Sequence, residues 1–431
     1  MPPPREETSE FDVGGWLVMA VTDRWARYRW VALGIALLCQ CGASLCGQVL
    51  APLAPLFQPE LGLSKAEVGL FASAVSAGTW SVTFIAGSAT DRFGIRALIS
   101  LGQVAAGLLL MLMLFTGSML QAAAVMLVVG MARGTVFPGA TKAILEWFPP
   151  ASRATAMGIK QTGAPVGGIL AASTLPAVGL VFGWRFAIAM AGLAVVASGV
   201  ASGLLYRDSP LSNQVAGGGV GMRASLGAVL RNKSIWMVGS MAFLYAVVQQ
   251  ALVIYVALYF KDRVLVSLVP DESARVVAAG GFLAVCQAGG VFGRVFWGVV
   301  SDRFLGGRRL STLMVIGVVT TLACLIVQSL RAGSAPWFLT VVVFVAGAGA
   351  IGWNGVFHTM ITETVGRKYA ATGVGLGLTM VEFGVFVGPP LFGYVADISG
   401  TYQVAWIFLA CVSAVGVLVA ALTARWRILA A

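Results

Sequence analysis

Apolar runs of about twenty residues recur along the chain, each closed by charged residues or by Pro/Gly punctuation. A helix rising about 1.5 Å per residue needs a run of that length to cross the hydrocarbon core of a bilayer. Twelve runs are predicted to span, over 30–53, 67–88, 98–116, 120–147, 152–177, 183–205, 234–260, 274–299, 310–330, 336–362, 371–393 and 404–424. The strict alternation in ten-residue segments that marks a membrane barrel is not visible. The pattern predicts an all-α membrane protein. Gly14 to Val21 is too short to span, and with the Asp23, Arg24, Arg27 and Arg29 cluster behind it predicts an interfacial helix ahead of the first span.

Composition sharpens this. Hydrophobic residues make up 58% of the 431 and charged residues only 10%, against about 25% charged in soluble domains, which excludes an ordinary soluble enzyme. The net charge of +11 would suggest nucleic acid on a soluble chain. Its distribution points to topology instead. With the N-terminus placed in the cytoplasm, the inner segments hold 18 Lys and Arg and the outer loops six. By the positive-inside bias both termini are then cytoplasmic, as in a multi-pass plasma-membrane (bacterial inner-membrane) protein. The N-terminal stretch lacks a basic n-region, so no cleaved signal peptide is read. Six cysteines lie inside apolar runs without C-x-x-C spacing, the pattern of small buried residues. No Walker A string occurs, which excludes ATP drive within this chain, and no cofactor or metal is implied.

Gly87-Ser-Ala-Thr-Asp91-Arg92-Phe93, after the second span, returns as Gly298-Val-Val-Ser-Asp302-Arg303-Phe304 after the eighth, 211 residues on. The repeat divides the chain into a tail (1–29), a six-helix bundle (30–206), a Gly-rich cytoplasmic linker (207–233), a second bundle (234–424) and a short tail (425–431). Duplication of this kind suits a transporter rocking about a central site, here expected as a monomer.

Gly87-x-x-x-Asp91-Arg92-x-Gly94-x-Arg96 and its partial copy at Gly298, Asp302, Arg303, Arg308 and Arg309 resemble the loop signature of the major facilitator superfamily, and the resemblance covers about residues 30 to 424. It implies twelve transmembrane helices in two pseudo-symmetric six-helix bundles. It also implies gating loops carried by Gly87, Asp91, Arg92, Arg96, Asp302 and Arg303, with Asp91 accepting from a helix N-terminus or an Arg. In the second half, Gly293-Arg294-Val-Phe-Trp-Gly298, the run from Gly373 to Glu382, and Gly388-Pro389-Pro390 through Asp397 look like the monocarboxylate porter family. That family implies Arg294 as carboxylate ligand and an acid at Glu382. Gly290 stands where its animal members carry an Asp one turn before the Arg, and their Lys-bearing first-span signature is not recognisable.

Charges inside spans are costly and usually face a cavity or a partner. Arg133 lies about 18 Å from either end of its run, and Arg294 and Lys160 lie about 12 Å from the cytoplasmic edge. Glu382 lies eleven residues into its own span. Three bases against one acid favour an anionic substrate. Two readings of Arg294 and Glu382 stay open, an ion pair bracing one bundle and a carboxylate ligand with a proton acceptor. Tyr245 and Gln249 share a face of the seventh span; Gln287 stands two turns before Arg294, and Asn354 and His358 share a face of the tenth. Arg294, Arg133, Lys160, Gln249, Tyr245, Asn354 and Gln287 form the expected substrate site and Glu382 the proton-coupling group, while His358, near the cytoplasmic edge, is expected to be structural. The expectation is a secondary active transporter of a small organic anion, most simply a monocarboxylate, coupled to protons. Anion exchange, drug or metabolite export, and a non-transporting sensor are its rivals.

Overall fold

The computed structural model describes residues 23–209, 230–365 and 370–430. The tail before Asp23, most of the linker, and the loop carrying Arg367 and Lys368 lie outside the described residues. Inside a bilayer every backbone N–H and C=O must be satisfied within the chain, and the described residues are helical throughout apart from short turns. Eleven stretches are long and apolar enough to cross. The twelfth, Lys65–Phe93, has 29 residues but carries seven Ser and Thr. Several of these bond back into their own helix, as Thr79 Oγ1 to the Val75 carbonyl at 2.9 Å and Thr90 Oγ1 to that of Ala86 at 2.7 Å, which satisfies them locally.

The twelve spans are Arg27–Glu60, Lys65–Phe93, Ile95–Phe115, Met119–Trp147, Pro150–Phe182, Trp184–Leu205, Lys233–Val264, Glu272–Phe304, Arg309–Ser329, Pro336–Val365, Ala370–Ser399 and Tyr402–Ala430. The helix of the first span begins at Asp23 and takes in the basic cluster from Arg24 to Arg29; the expected interfacial segment from Gly14 to Val21 lies outside the described residues. Polar caps start several spans: Ser64 and Glu67 form a capping box on the second, and Asp271 accepts from Ala274 N at 2.6 Å on the eighth. Gly94, at φ 84°, turns the chain between the second and third spans in a conformation open to glycine.

Within the first half, spans two and four, three and six, and one and five pack most extensively; in the second, eight and ten, nine and twelve, and seven and eleven do. The pairings are equivalent, as two copies of one bundle require. Backbones touch where glycines face each other. A Cβ on Gly78 would sit 1.9 Å from the Leu127 carbonyl oxygen and one on Gly130 2.1 Å from that of Val75. Gly289 and Gly347 stand in the same relation to Phe344 and Cys286, at 2.1 and 1.9 Å. Gly78 and Gly289 are 211 residues apart, the offset of the loop repeat. Close backbone approach through small residues is the usual glue of helices in lipid.

The two bundles meet mainly along spans two with eleven, five with eight, and the end of one with seven. The face that carries the loop repeats and the linker is the basic face; the other is the far face. At the far face the Asp397 carboxylate accepts from Lys65 N and Ala66 N at 3.2 and 2.8 Å and pairs with Lys65 Nζ at 3.7 Å. Tyr255 of span seven donates toward the Lys65 carbonyl at 2.5 Å and that of Pro389 at 3.0 Å, touching both bundles. From Ala251 to Phe260 every residue of span seven is buried. At the basic face the half-helices Val136–Trp147 and Asn354–Val365 pack substantially only within their own bundles. The polar ties between the bundles concentrate at the far face, while the half-helices at the basic face keep to their own bundles.

Candidate functional site: unmatched positive charge between the bundles

Three spans break near mid-membrane: the first at Val49, the fourth at Thr135 and the tenth at Ile351 to Trp353. Interrupted helices free backbone groups and mark binding sites in transporters. Arg133 lies at the break of the fourth span, where Thr135 Oγ1 bonds back to the Ala132 carbonyl at 2.8 Å. Its Nη1 donates to Thr79 Oγ1 at 3.1 Å, and its Cζ sits 5.0 Å from the Phe137 ring centre. Gly47 makes room for the guanidinium, since a Cβ there would come within 2.9 Å of Cζ. The Arg133 Nε is buried and has no partner.

The Arg133 charge acts on the Glu382 carboxylate across the bundle interface. Glu382 has no hydrogen bond and no ion pair within 4.0 Å among the described residues. The sequence reading had joined Glu382 to Arg294 because both lie in the second half. The structure corrects that pairing: spans eight and eleven occupy different sides of the second bundle, and span eleven packs on span two.

Arg294 instead reaches the first bundle, where its Nη1 donates to the Gln161 carbonyl; its buried Nε has no partner. Lys160, next to Gln161, is only 2% exposed and bonds Thr141 Oγ1 at 3.3 Å. The charges of Arg294 and Lys160 both act on the His358 ring. Among the described residues no carboxylate lies within 4.0 Å of either cation. Spans five, eight and ten thus bring together two cations and the one histidine, nearer the basic face than Arg133.

Neutral groups lie between these levels. Gln287 donates to Gln48 across the interface; Gln48 donates to Ser44 Oγ at 2.7 Å, and Ser44 to the Ala164 carbonyl at 2.6 Å. Gln249 Oε1 accepts from Trp353 Nε1 at 2.9 Å and Asn354 Nδ2 at 3.0 Å, fixing the break of span ten against span seven. Tyr245 is placed away from the site. Its hydroxyl donates to the Leu313 carbonyl at 2.9 Å, and its ring fills the space left by Gly317 and Gly416, where a Cβ would meet it at 2.1 and 2.5 Å. The helical face it shares with Gln249 turns, one step away, into the second bundle's core. Gly290 is explained the same way. A Cβ there would meet Ile351 at 2.7 Å, so the break of span ten occupies the space an Asp would need.

Of the gating positions, Gly87 and the Asp91 side chain lie outside the described residues, within the helix Lys65–Phe93. Arg92 is exposed, with its Cζ 5.4 Å from the Phe93 ring centre. Arg96 donates from Nε to the Gly203 carbonyl at 2.6 Å. Asp302 pairs with Arg309, which reaches Glu363 at 3.4 Å and Ser301 Oγ at 2.9 Å. This link joins spans eight, nine and ten of one bundle, and Arg303 stays exposed beside it. Sequence reasoning missed Thr79, Thr141 and the Gln161 carbonyl as partners of the three cations, because nothing in a Thr or a backbone group marks it before the helices are packed.

A family model described as Major Facilitator Superfamily matches residues 36–386. The chain belongs to that superfamily. It is a transporter and not an enzyme, built on the twelve-helix fold of that group. Among curated relatives it is 24% identical over 386 residues, 85% of this chain and 86% of the relative, to the probable sulfoacetate transporter SauU of Cupriavidus necator. It is 22% identical over 370 residues, 82% and 85% of the two chains, to the hexuronate transporter of Bacillus subtilis. Among solved structures, a bacterial homologue of the human lysosomal transporter Spinster, crystallised in an inward-facing and occupied conformation, superposes with a TM-score of 0.72 at 18% identity. The match covers 92% of this chain and 97% of that one, a likeness of fold.

Proposed function

We propose that this superfamily member carries a small organic anion, with a carboxylate as its simplest recognised group, across a bacterial inner membrane by alternating access and in symport with protons. The observation that carries the reading is the interior charge among the described residues: Arg133, Lys160 and Arg294, drawn from both bundles, are set against one acid, Glu382, since the buried acid Glu146 pairs with Lys142 at 3.9 Å. Buried guanidinium N–H groups without partners suit a planar oxyanion. Arg133, Arg294 and Lys160 are the proposed anion ligands, and Gln249, Asn354 and Gln287 line or brace the site. The anionic substrates in the names of the sulfoacetate and hexuronate transporters support the same class.

Glu382 is the proposed coupling group. With the site empty its carboxylate offsets the Arg133 charge. When a substrate anion engages Arg133, the carboxylate loses that support and takes a proton. Uptake of radiolabelled organic acids into proteoliposomes tests this. An inward proton gradient should drive accumulation, Glu382→Gln should abolish the gradient's effect while preserving counterflow, and Arg133→Gln should abolish both. Uptake indifferent to the gradient but dependent on internal anion would establish exchange.

A further inference from the structure

We infer, resting on the anion-transport reading above, that the substrate is a dianion carrying two anionic groups, one held at Arg133 and the other between Arg294 and Lys160. The cations form two clusters at different depths. Arg133 backs onto Gly47, and the adjacent Gln48 meets Gln287 of span eight. Arg294 follows Gln287 by seven residues, about 10 Å along the helix toward the basic face. The neutral Gln48–Gln287 bridge therefore separates the clusters along the transport axis. A ligand that reaches both clusters must therefore carry an anionic group at each end of its body.

Each cluster has unused capacity. Arg133 engages only Thr79 and keeps a buried, partnerless Nε. Arg294 engages one carbonyl and keeps another. Lys160, 2% exposed, has three N–H donors and one hydroxyl partner at 3.3 Å. A buried cation without a counter-charge is costly, and the Arg294–Lys160 cluster has no acid within 4.0 Å among the described residues. With Glu382 protonated on loading, the three cations exceed a monoanion by two charges and a dianion by only one, so a dianion balances the site better. Arg133 belongs to the first bundle, and the second cluster joins Arg294 of the second bundle to Lys160 of the first. A two-headed ligand would engage both clusters when the bundles close over it.

The test is binding of matched probes to purified protein in lipid nanodiscs: a four-carbon dicarboxylate, a two-carbon sulfonate–carboxylate, and the half-amide of each, which has the same shape with one charge fewer. At least one dianion should bind ten-fold or more tighter than its half-amide. Arg294→Gln, and separately Lys160→Gln, should erase that preference, weakening the dianion at least ten-fold more than its half-amide. Arg294→Lys, which retains charge if the guanidinium site itself perturbs folding, should preserve part of it. Equal affinity for dianion and half-amide would overturn the two-headed site and leave the anion-transport reading standing. Failure of every probe to bind a protein that melts cooperatively would overturn both.

Discussion

The far and basic faces use charge in opposite ways. At the far face, Asp397 of the second bundle caps the second span of the first, and Tyr255 bonds carbonyls belonging to both. At the basic face the link from Asp302 through Arg309 to Glu363 stays inside one bundle, as does the bond from Arg96 to Gly203. The chief polar tie across the bundles on that side is Arg294 to a backbone carbonyl. The described state is thus held by a latch on one side, while the loops that bear the repeated signature brace each bundle from within. Switching state requires breaking the far-face latch.

The largest effect should come from filling the space the latch needs. A Cβ on Gly393 would meet Lys65 backbone atoms and the Tyr255 hydroxyl at 2.5 Å, so Gly393→Leu should destabilise far-face closure by about 3 kcal/mol, the upper range for overpacking. Spin labels on the 61–64 and 400–401 turns should then report mostly widened distances. Asp397→Ala removes two charge-assisted bonds and an ion pair from a half-buried site, worth about 2 kcal/mol. A cysteine placed beside Lys65 should react with an impermeant reagent at least ten-fold faster in that variant. Tyr255→Phe loses one hydroxyl and should cost about 1 kcal/mol, a five-fold shift in the same assay. Asp302→Asn should change the open-to-closed ratio least. Its carboxylate is 61% exposed, and such pairs contribute about 0–1 kcal/mol. Only a small drop in melting temperature is expected, and a shift matching that of Asp397→Ala would refute the distinction between latch and brace.

Much of this was legible in the chain. Length and hydropathy determine where spans lie, because a bilayer penalises every alternative, and the Gly87–Phe93 repeat marked the duplication. The isolated charges at 133, 160, 294 and 382 were visible for the same reason. Their partners were not. Glu382 feels the charge of Arg133 rather than pairing with Arg294, because the packing of span two on span eleven is a property of how the bundles dock. The breaks were not read either, although Pro138 lacks the N–H that would bond the Gly134 carbonyl, and Gly347, Gly349 and Gly352 crowd the break of span ten. Tyr245 illustrates the limit of face-sharing. A residue four positions from Gln249 belongs to the same helical stripe, yet Gly317 and Gly416 draw its ring into the core.

The glycine contacts between spans two and four, and between eight and ten, invert the usual scale of mutational severity. Alanine is ordinarily the mildest replacement in a helix, yet at Gly78, Gly130, Gly289 and Gly347 one methyl group would strike a neighbouring backbone that no side-chain rotation can relieve. A comprehensive substitution map should therefore show two parallel sets of intolerant sites, Gly78 and Gly289 in register at 211 residues. Lipid-facing positions such as Leu101 and Leu322 should accept almost any apolar residue. Tolerance to change in this molecule would follow the distance between helix axes more closely than the size of the residue removed.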